Sequence, residues 1–228
     1  MQTRFVDCRP GDAYLAGHVP GAAHADPERD LTGDVGGGRH PLPSADAFAA
    51  WASGAGIGPD TLVVGYDDDT GWSARLWWLL RHFGHDDVAV LKGGIETWLG
   101  PLRAGEEGIE PGDLTLRPRQ DDIVTASEVE EKLDEPGFVL VDARVPERYR
   151  GEVEPIDPVA GHIPGAVNMP YTAEADAIEP DSEVAVYCGS GITAAVTILA
   201  LEQMGVKAKL YPGSWSEWSS RGLAVERG

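Results

Sequence analysis

Cysteine is scarce in this chain: two occur in 228 residues, Cys8 and Cys188, far apart. So few thiols exclude a disulfide framework, and a reducing cytoplasm is the expected compartment. Long hydrophobic runs are missing too, and none approaches the ~20 residues a membrane helix needs. Positive charge is thin, with 18 Lys and Arg against 38 Asp and Glu and a net charge of −20. That field repels nucleic acid and anionic membranes, so neither is expected as a partner. Met1-Gln2-Thr3-Arg4-Phe5-Val6-Asp7 enters strand-like sequence at once. With no charged stretch ahead of an apolar one, no signal peptide is expected. An anionic small molecule would need a local basic pocket, which makes the few arginines worth following. No cofactor and no metal is called for.

What is present is an ordinary globular composition, 42% hydrophobic, and a long internal repeat. Phe5-Val6-Asp7-Cys8-Arg9, Tyr14 and Gly17-His18-Val19-Pro20-Gly21-Ala22 match Val139-Leu140-Val141-Asp142-Ala143-Arg144, Tyr149 and Gly161-His162-Ile163-Pro164-Gly165-Ala166. The second copy carries an acidic, proline-containing insertion at 151–159. Further on, Thr61-Leu62-Val63-Val64-Gly65-Tyr66-Asp67 parallels Glu183-Val184-Ala185-Val186-Tyr187-Cys188, which sets Asp67 opposite Cys188. A helix from about Trp72 to Phe83 ends at Gly84, as a later one ends at Gly205, and Trp98 and Trp218 are expected in short helices. A repeat of this length reads as two homologous domains. Strands alternating with helices make each an α/β unit with a mainly parallel sheet. The boundaries are set at 1–104 and 122–228, with a breaker-rich linker at 105–121 in which Leu114 and Leu116 are candidates to pack on a domain. Thr125 or Ser127 is a helix cap, with Glu128 in the first turn.

The chemistry is expected at Cys188-Gly189-Ser190-Gly191-Ile192-Thr193, after a buried strand and before a helix. Backbone N–H groups in such a loop can curl into an anion nest, and the helix dipole adds positive potential. A thiol there loses its proton more readily and becomes a nucleophile. Asp67 holds the same place in the first copy and cannot act as a sulfur nucleophile, so that copy is degenerate. Cys8 lacks a glycine nest and reads as an inert structural thiol. The bland reading of Cys188 is a small buried hydrophobe.

These motifs together resemble the two-domain rhodanese-type sulfurtransferases, across both halves. The loop Cys188-Gly189-Ser190-Gly191-Ile192-Thr193 is similar to the Cys-Gly-Ser-Gly-Val-Thr form of 3-mercaptopyruvate sulfurtransferases; thiosulfate enzymes typically carry basic residues in the loop. The resemblance implies two tandem rhodanese-like domains, the second catalytic. It implies Cys188 as nucleophile and Ser190 as a proton-transfer residue, with His18 offered as its histidine. Substrate contacts fall to Gly189, Gly191, Ile192, Thr193, His18, Arg39 and Arg148. Arg148 is the candidate for a bidentate grip on a carboxylate. A second substrate arginine of the family maps to Ile156. Gly38-Arg39-His40-Pro41 resembles a family loop that reaches the cleft, with a surface role competing. Arg144 is expected in a structural ion pair with Asp142.

The implied reaction moves a sulfane sulfur from a small anionic donor, 3-mercaptopyruvate favoured, through a Cys188 persulfide. The acceptor is a thiol, a thioredoxin-like protein or cyanide. The alternatives are a thiosulfate sulfurtransferase and a non-enzymatic persulfide carrier or binding module. A cysteine phosphatase fits poorly, because the position that would need an arginine for phosphate is Ala194.

Overall fold

The computed structural model describes residues 2–171, 178 and 182–228. They fall into two compact units, Met1–Asp34 with Leu42–Arg119, and Val35–Pro41 with Gln120–Gly228.

In the first unit, β1 (Gln2–Asp7), α1 (Gly11–Ala16), β2 (Ala23–His24), α2 (Ala45–Gly54), β3 (Thr61–Tyr66), α3 (Trp72–His82) and β4 (Val88–Val90) lead to a single 3-10 turn at Gly94–Thr97. The sheet order is β2-β1-β3-β4, and each ladder is parallel. The second unit contains α4 (Ala126–Lys132), β5 (Phe138–Asp142), α5 (Pro146–Tyr149), β6 (Val167–Asn168), β7 (Glu183–Tyr187), α6 (Thr193–Gln203), β8 (Ala208–Leu210) and α7 (Ser214–Ser220). Its sheet repeats the pattern, β6-β5-β7-β8, all parallel. Val-rich β3 and β7 are central strands covered by helices, as parallel sheets require. Thr125 caps α4 in a capping box with Glu128. Trp218 lies in α7, but Trp98 only closes the 3-10 turn, so the first of the two expected helices is one turn long.

The repeated motifs perform the same work twice. Arg9 Nη2 bonds Asp7 at 2.6 Å and the Gly17 carbonyl at 2.7 Å; Arg144 Nη2 bonds Asp142 and the Gly161 carbonyl at the same distances. The Tyr66 hydroxyl accepts the Val19 N–H at 3.0 Å, and the Tyr187 hydroxyl accepts the Ile163 N–H at 3.1 Å. Each Asp-x-Arg pair thus ties the carboxyl end of a central strand to the Gly-His-x-Pro-Gly turn. Breaking such a buried pair by removing one partner costs about 3–5 kcal/mol. In the second unit the core beneath these ties is Leu140, Ala185, Tyr187, Tyr211, Trp215 and Trp218.

The compact units differ from the expected domain boundaries in two places. Residues 35–41, read with the first domain, belong to the second unit. The linker is not free chain as far as Arg119. Its amides bond the first unit from Gly105 (to Leu15 O, 2.9 Å) through Gly112 (to Ser53 O, 2.8 Å) to Arg119 (to His82 O, 2.7 Å). Leu114 and Leu116 are half-buried along this strap. Its breakers shape an irregular path, while backbone hydrogen bonds and alternating side chains hold it down.

Candidate active site

Tyr187 ends β7, so Cys188 emerges at the carboxyl edge of a parallel sheet, where α/β folds collect ligands. Its backbone is clamped by the start of α7: the Cys188 N–H donates to Ser214 Oγ at 3.2 Å, and the Cys188 carbonyl accepts the Trp215 N–H at 2.9 Å. Ser214 is fully buried with φ of +52°, a left-handed setting that costs a non-glycine residue about 1–2 kcal/mol. Its hydroxyl offsets part of this by accepting from Cys188 and donating to the Tyr211 carbonyl at 2.9 Å. Beyond the thiol, Gly191 turns the chain with φ of +87°, and its N–H points at Cys188 Sγ, 3.1 Å away. The thiol is buried, yet a main-chain donor faces it, and α6 begins two residues further on. The sulfur thus sits beside a main-chain donor and a helix N-terminus, where a helix dipole presents its positive end.

The segment 35–41 brings further polar groups to this loop. It approaches α7 closely because it lacks side chains: a Cβ on Gly38 would sit 2.8 Å from Ser216 Oγ, and one on Gly37 would strike Glu217. The Ser216 hydroxyl accepts the Arg39 N–H at 3.1 Å. Two adjacent side chains are thereby aimed. His40 Nδ1 lies 2.7 Å from Ser190 Oγ, and Arg39 bonds Asp157. A Cβ on Gly189 would lie 3.1 Å from Arg39 Nη2 and 3.3 Å from Arg148 Nη1, so both guanidinium groups reach the loop.

Carboxylates balance these cations. Arg148 bonds Glu154 at 2.6 Å and Asp157 at 3.1 Å, while Arg144 bonds Asp142 at 2.6 Å and Glu154 at 3.4 Å. Burial pushes Glu154 up, but hydrogen bonds from Arg148 and from the Asp157 and Ile156 amides hold its carboxyl below the usual range. Burial raises Asp157; Arg39 and Arg148 oppose the rise and Glu154 adds to it. The loop carries no charged side chain of its own, but Arg39 and Arg148 stand beside it.

Cys188, Gly189, Ser190, Gly191, Ile192, Thr193, Arg39 and Arg148 therefore all belong to one unit. His18 does not. Its ring is fully buried in the first unit, with Nδ1 2.8 Å from the Tyr14 carbonyl, Nε2 3.3 Å from Glu107, and Tyr14 stacked on it at 4.1 Å. His162 repeats this with the Tyr149 carbonyl at 2.8 Å and the Tyr149 ring at 3.8 Å. His18 is thus held within the Gly-His-Val-Pro-Gly turn of the first unit, and His40 is the histidine beside Ser190. Arg144 forms the expected ion pair with Asp142. Cys8 is fully buried, and burial followed by the charges of Asp67 and Asp7 raises its thiol well above the usual value. No trio of metal-binding side chains occurs among the described residues, and no described helix is long and apolar enough to cross a membrane.

The rhodanese-like domain family matches residues 1–100 and again 125–221. The 3-mercaptopyruvate sulfurtransferase of Escherichia coli is 36% identical over 238 residues, covering 93% of this chain and 84% of that protein. A Mycobacterium tuberculosis protein, SseB, provisionally named a thiosulfate sulfurtransferase, is 41% identical over 235 residues, covering 91% and 82%. The crystal structure of SseA, a 3-mercaptopyruvate sulfotransferase from Escherichia coli, superposes with a TM-score of 0.81 at 31% identity, covering 94% of this chain and 93% of that one. With a duplicated parallel sheet, a thiol at the sheet edge of the second copy and relatives aligned along nearly the whole length, this chain belongs to the two-domain rhodanese-like sulfurtransferases.

Proposed function

We propose that the protein transfers sulfane sulfur from 3-mercaptopyruvate to a thiol acceptor through a persulfide on Cys188. The observation that carries this reading is the pairing of a thiol facing the Gly191 N–H at 3.1 Å with a Ser190–His40 contact at 2.7 Å in the same loop. The Cys188 thiolate attacks the donor's sulfur. The Sγ–S bond forms, the donor's C–S bond breaks, and its electron pair goes to carbon as the enolate of pyruvate. The transferred sulfur is oxidised and the carbon is reduced, so no outside oxidant enters. The enolate must gain a proton, and the new persulfide, a stronger acid than a thiol, loses one. On this reading Ser190 and His40 carry that proton, which their 2.7 Å contact supports. The Gly191 amide and the N-terminus of α6 stabilise the sulfur anion in both steps. Arg148 holds the donor's carboxylate. An acceptor thiolate, from a small molecule or a thioredoxin-like protein, then attacks the outer sulfur and frees Cys188; cyanide would leave as thiocyanate. A free thiol nucleophile suits a reducing compartment, and the cytoplasm is the proposed one.

Thiosulfate is the rival donor, and its anion would also meet Arg148. The two differ in one chemical demand: sulfite leaves without needing a proton, whereas pyruvate's enolate must be protonated. Steady-state kinetics with both donors test the reading. A higher kcat/KM for 3-mercaptopyruvate is expected, and a clear preference for thiosulfate would refute it.

A further inference from the structure

Ile156 stands where a second donor-binding arginine was expected, and the residue is 58% exposed. The geometry around Gly189 supplies another candidate. Arg39 uses Nη1 to bond Asp157 Oδ1 and turns Nη2 toward Gly189. Arg148 uses Nε and Nη2 for Glu154, shares Nη2 with Asp157 Oδ2, and turns Nη1 toward Gly189. One carboxylate, with 4% of its side chain exposed, therefore bridges two guanidinium groups whose remaining nitrogens converge on the residue next to Cys188.

We infer that Arg39 is the second arginine of a two-arginine anion subsite at Gly189, replacing the one lost at Ile156, and that it binds the donor's anionic group together with Arg148. The inference rests on the sulfur-transfer reading above. Asp157 is the positioning residue: it fixes the spacing of the two forks and partly neutralises them, so a donor anion meets ordered donors rather than a loose cationic patch. Glycine at 189 leaves room for both guanidinium groups, since a Cβ there would lie 3.1 Å from Arg39 Nη2 and 3.3 Å from Arg148 Nη1. The triglycine run Gly36-Gly37-Gly38 delivers Arg39 from a distant part of the chain, which releases position 156 from the task.

The competing account makes Arg39 only the ion-pair partner of Asp157. Arg39→Gln and Arg39→Lys separate the two. Lysine keeps a cation for Asp157 but is a single point charge with no second fork nitrogen for Gly189. On the inference, both variants raise the KM for 3-mercaptopyruvate by about tenfold, while kcat stays within about threefold and Arg39→Lys keeps the wild-type melting temperature. A second readout needs no sulfur transfer: alkylation of Cys188 by anionic iodoacetate compared with neutral iodoacetamide. The iodoacetate-to-iodoacetamide rate ratio should fall by about tenfold in Arg39→Gln. A wild-type KM in Arg39→Lys, or an unchanged alkylation ratio in Arg39→Gln, overturns the inference. If the wild-type protein turns over no anionic donor at all, the sulfur-transfer reading fails instead, and the alkylation ratio still reports on the subsite.

Discussion

The loops after β3 and β7 are built on one plan and hold different side chains. After β3, Asp67 fills its own cradle: Oδ1 accepts the Asp69 N–H at 3.0 Å, and Oδ2 accepts the Ser73 N–H at 2.9 Å. After β7, Cys188 Sγ accepts the Gly191 N–H at 3.1 Å. The first loop continues Asp67-Asp68-Asp69, while the second reads Cys188-Gly189-Ser190 and has Arg39 and Arg148 beside it. A fixed carboxylate occupies an anion site permanently, as structure. A thiol in the same kind of site can hold a negative charge, hand on a sulfur and recover. Both copies keep the cradle, and they differ in the side chain that fills it.

The largest expected effect comes from exchanging the occupants. Cys188→Ser should lower sulfur transfer by more than about 10³-fold, since the nucleophile itself is lost. Adding Asp67→Cys to that variant should not restore transfer, because Asp68 and Asp69 repel an anionic donor and disfavour the thiolate. A persulfide found at position 67 of the double variant by mass spectrometry would break the comparison.

Next comes the Ser190–His40 contact, for which the residues described around Asp67 provide no counterpart. His40→Asn and Ser190→Ala should lower kcat with 3-mercaptopyruvate by about 10²-fold. With thiosulfate the loss should stay within about fivefold, as sulfite departs unprotonated. Equal losses with both donors would remove the proton-transfer role.

Stability effects follow. Arg144→Met leaves Asp142 buried without its cation and should cost about 3–5 kcal/mol in chemical denaturation. Arg9→Met should cost less, because the Arg9 side chain is 11% exposed against 2% for Arg144. The reverse order would mean that the two ties are not equivalent.

The smallest change concerns Gly94 and Ser214, which occupy matching left-handed positions, φ +59° and +52°. Ser214→Ala keeps the strain and removes the acceptor for the Cys188 N–H, at about 1–3 kcal/mol. Ser214→Gly relieves about 1–2 kcal/mol of strain while losing the same hydrogen bond, so denaturation should find it within about 1 kcal/mol of wild type.

The features legible in the sequence are those written contiguously and twice. Asp7-Cys8-Arg9 and Asp142-Ala143-Arg144 declare their ion pairs, and the runs ending at Asp67 and Cys188 declare the central strands. The glycine-bounded helices after them are α3 and α6. The two-residue strands β2 and β6 are too short to show a period. His40 is legible as part of Gly38-Arg39-His40-Pro41, a loop expected to reach the cleft, but its pairing with Ser190 is not. The histidine sits 150 positions from Ser190, and it lies outside the duplicated motifs, so the repeated and more conspicuous His18 draws the role. One signal is available: Gly36-Gly37-Gly38 before Arg39-His40 is a stretch whose backbone can lie against another element without Cβ clashes. The strap at 105–119 reads as a linker because breakers erase periodicity, and main-chain hydrogen bonding leaves no mark in side-chain patterns.

The central claim is that the Cys188 sulfur, and not Cys8, carries the transferred atom. Intact-protein mass spectrometry after adding 3-mercaptopyruvate without an acceptor tests it directly, on the wild-type, Cys8→Ser and Cys188→Ser proteins. The account predicts a gain of one sulfur atom in the first two, located to the peptide containing Cys188 and lost on adding a thiol, with no gain in the third. A sulfur adduct that persists in Cys188→Ser, or one located to Cys8, would contradict it.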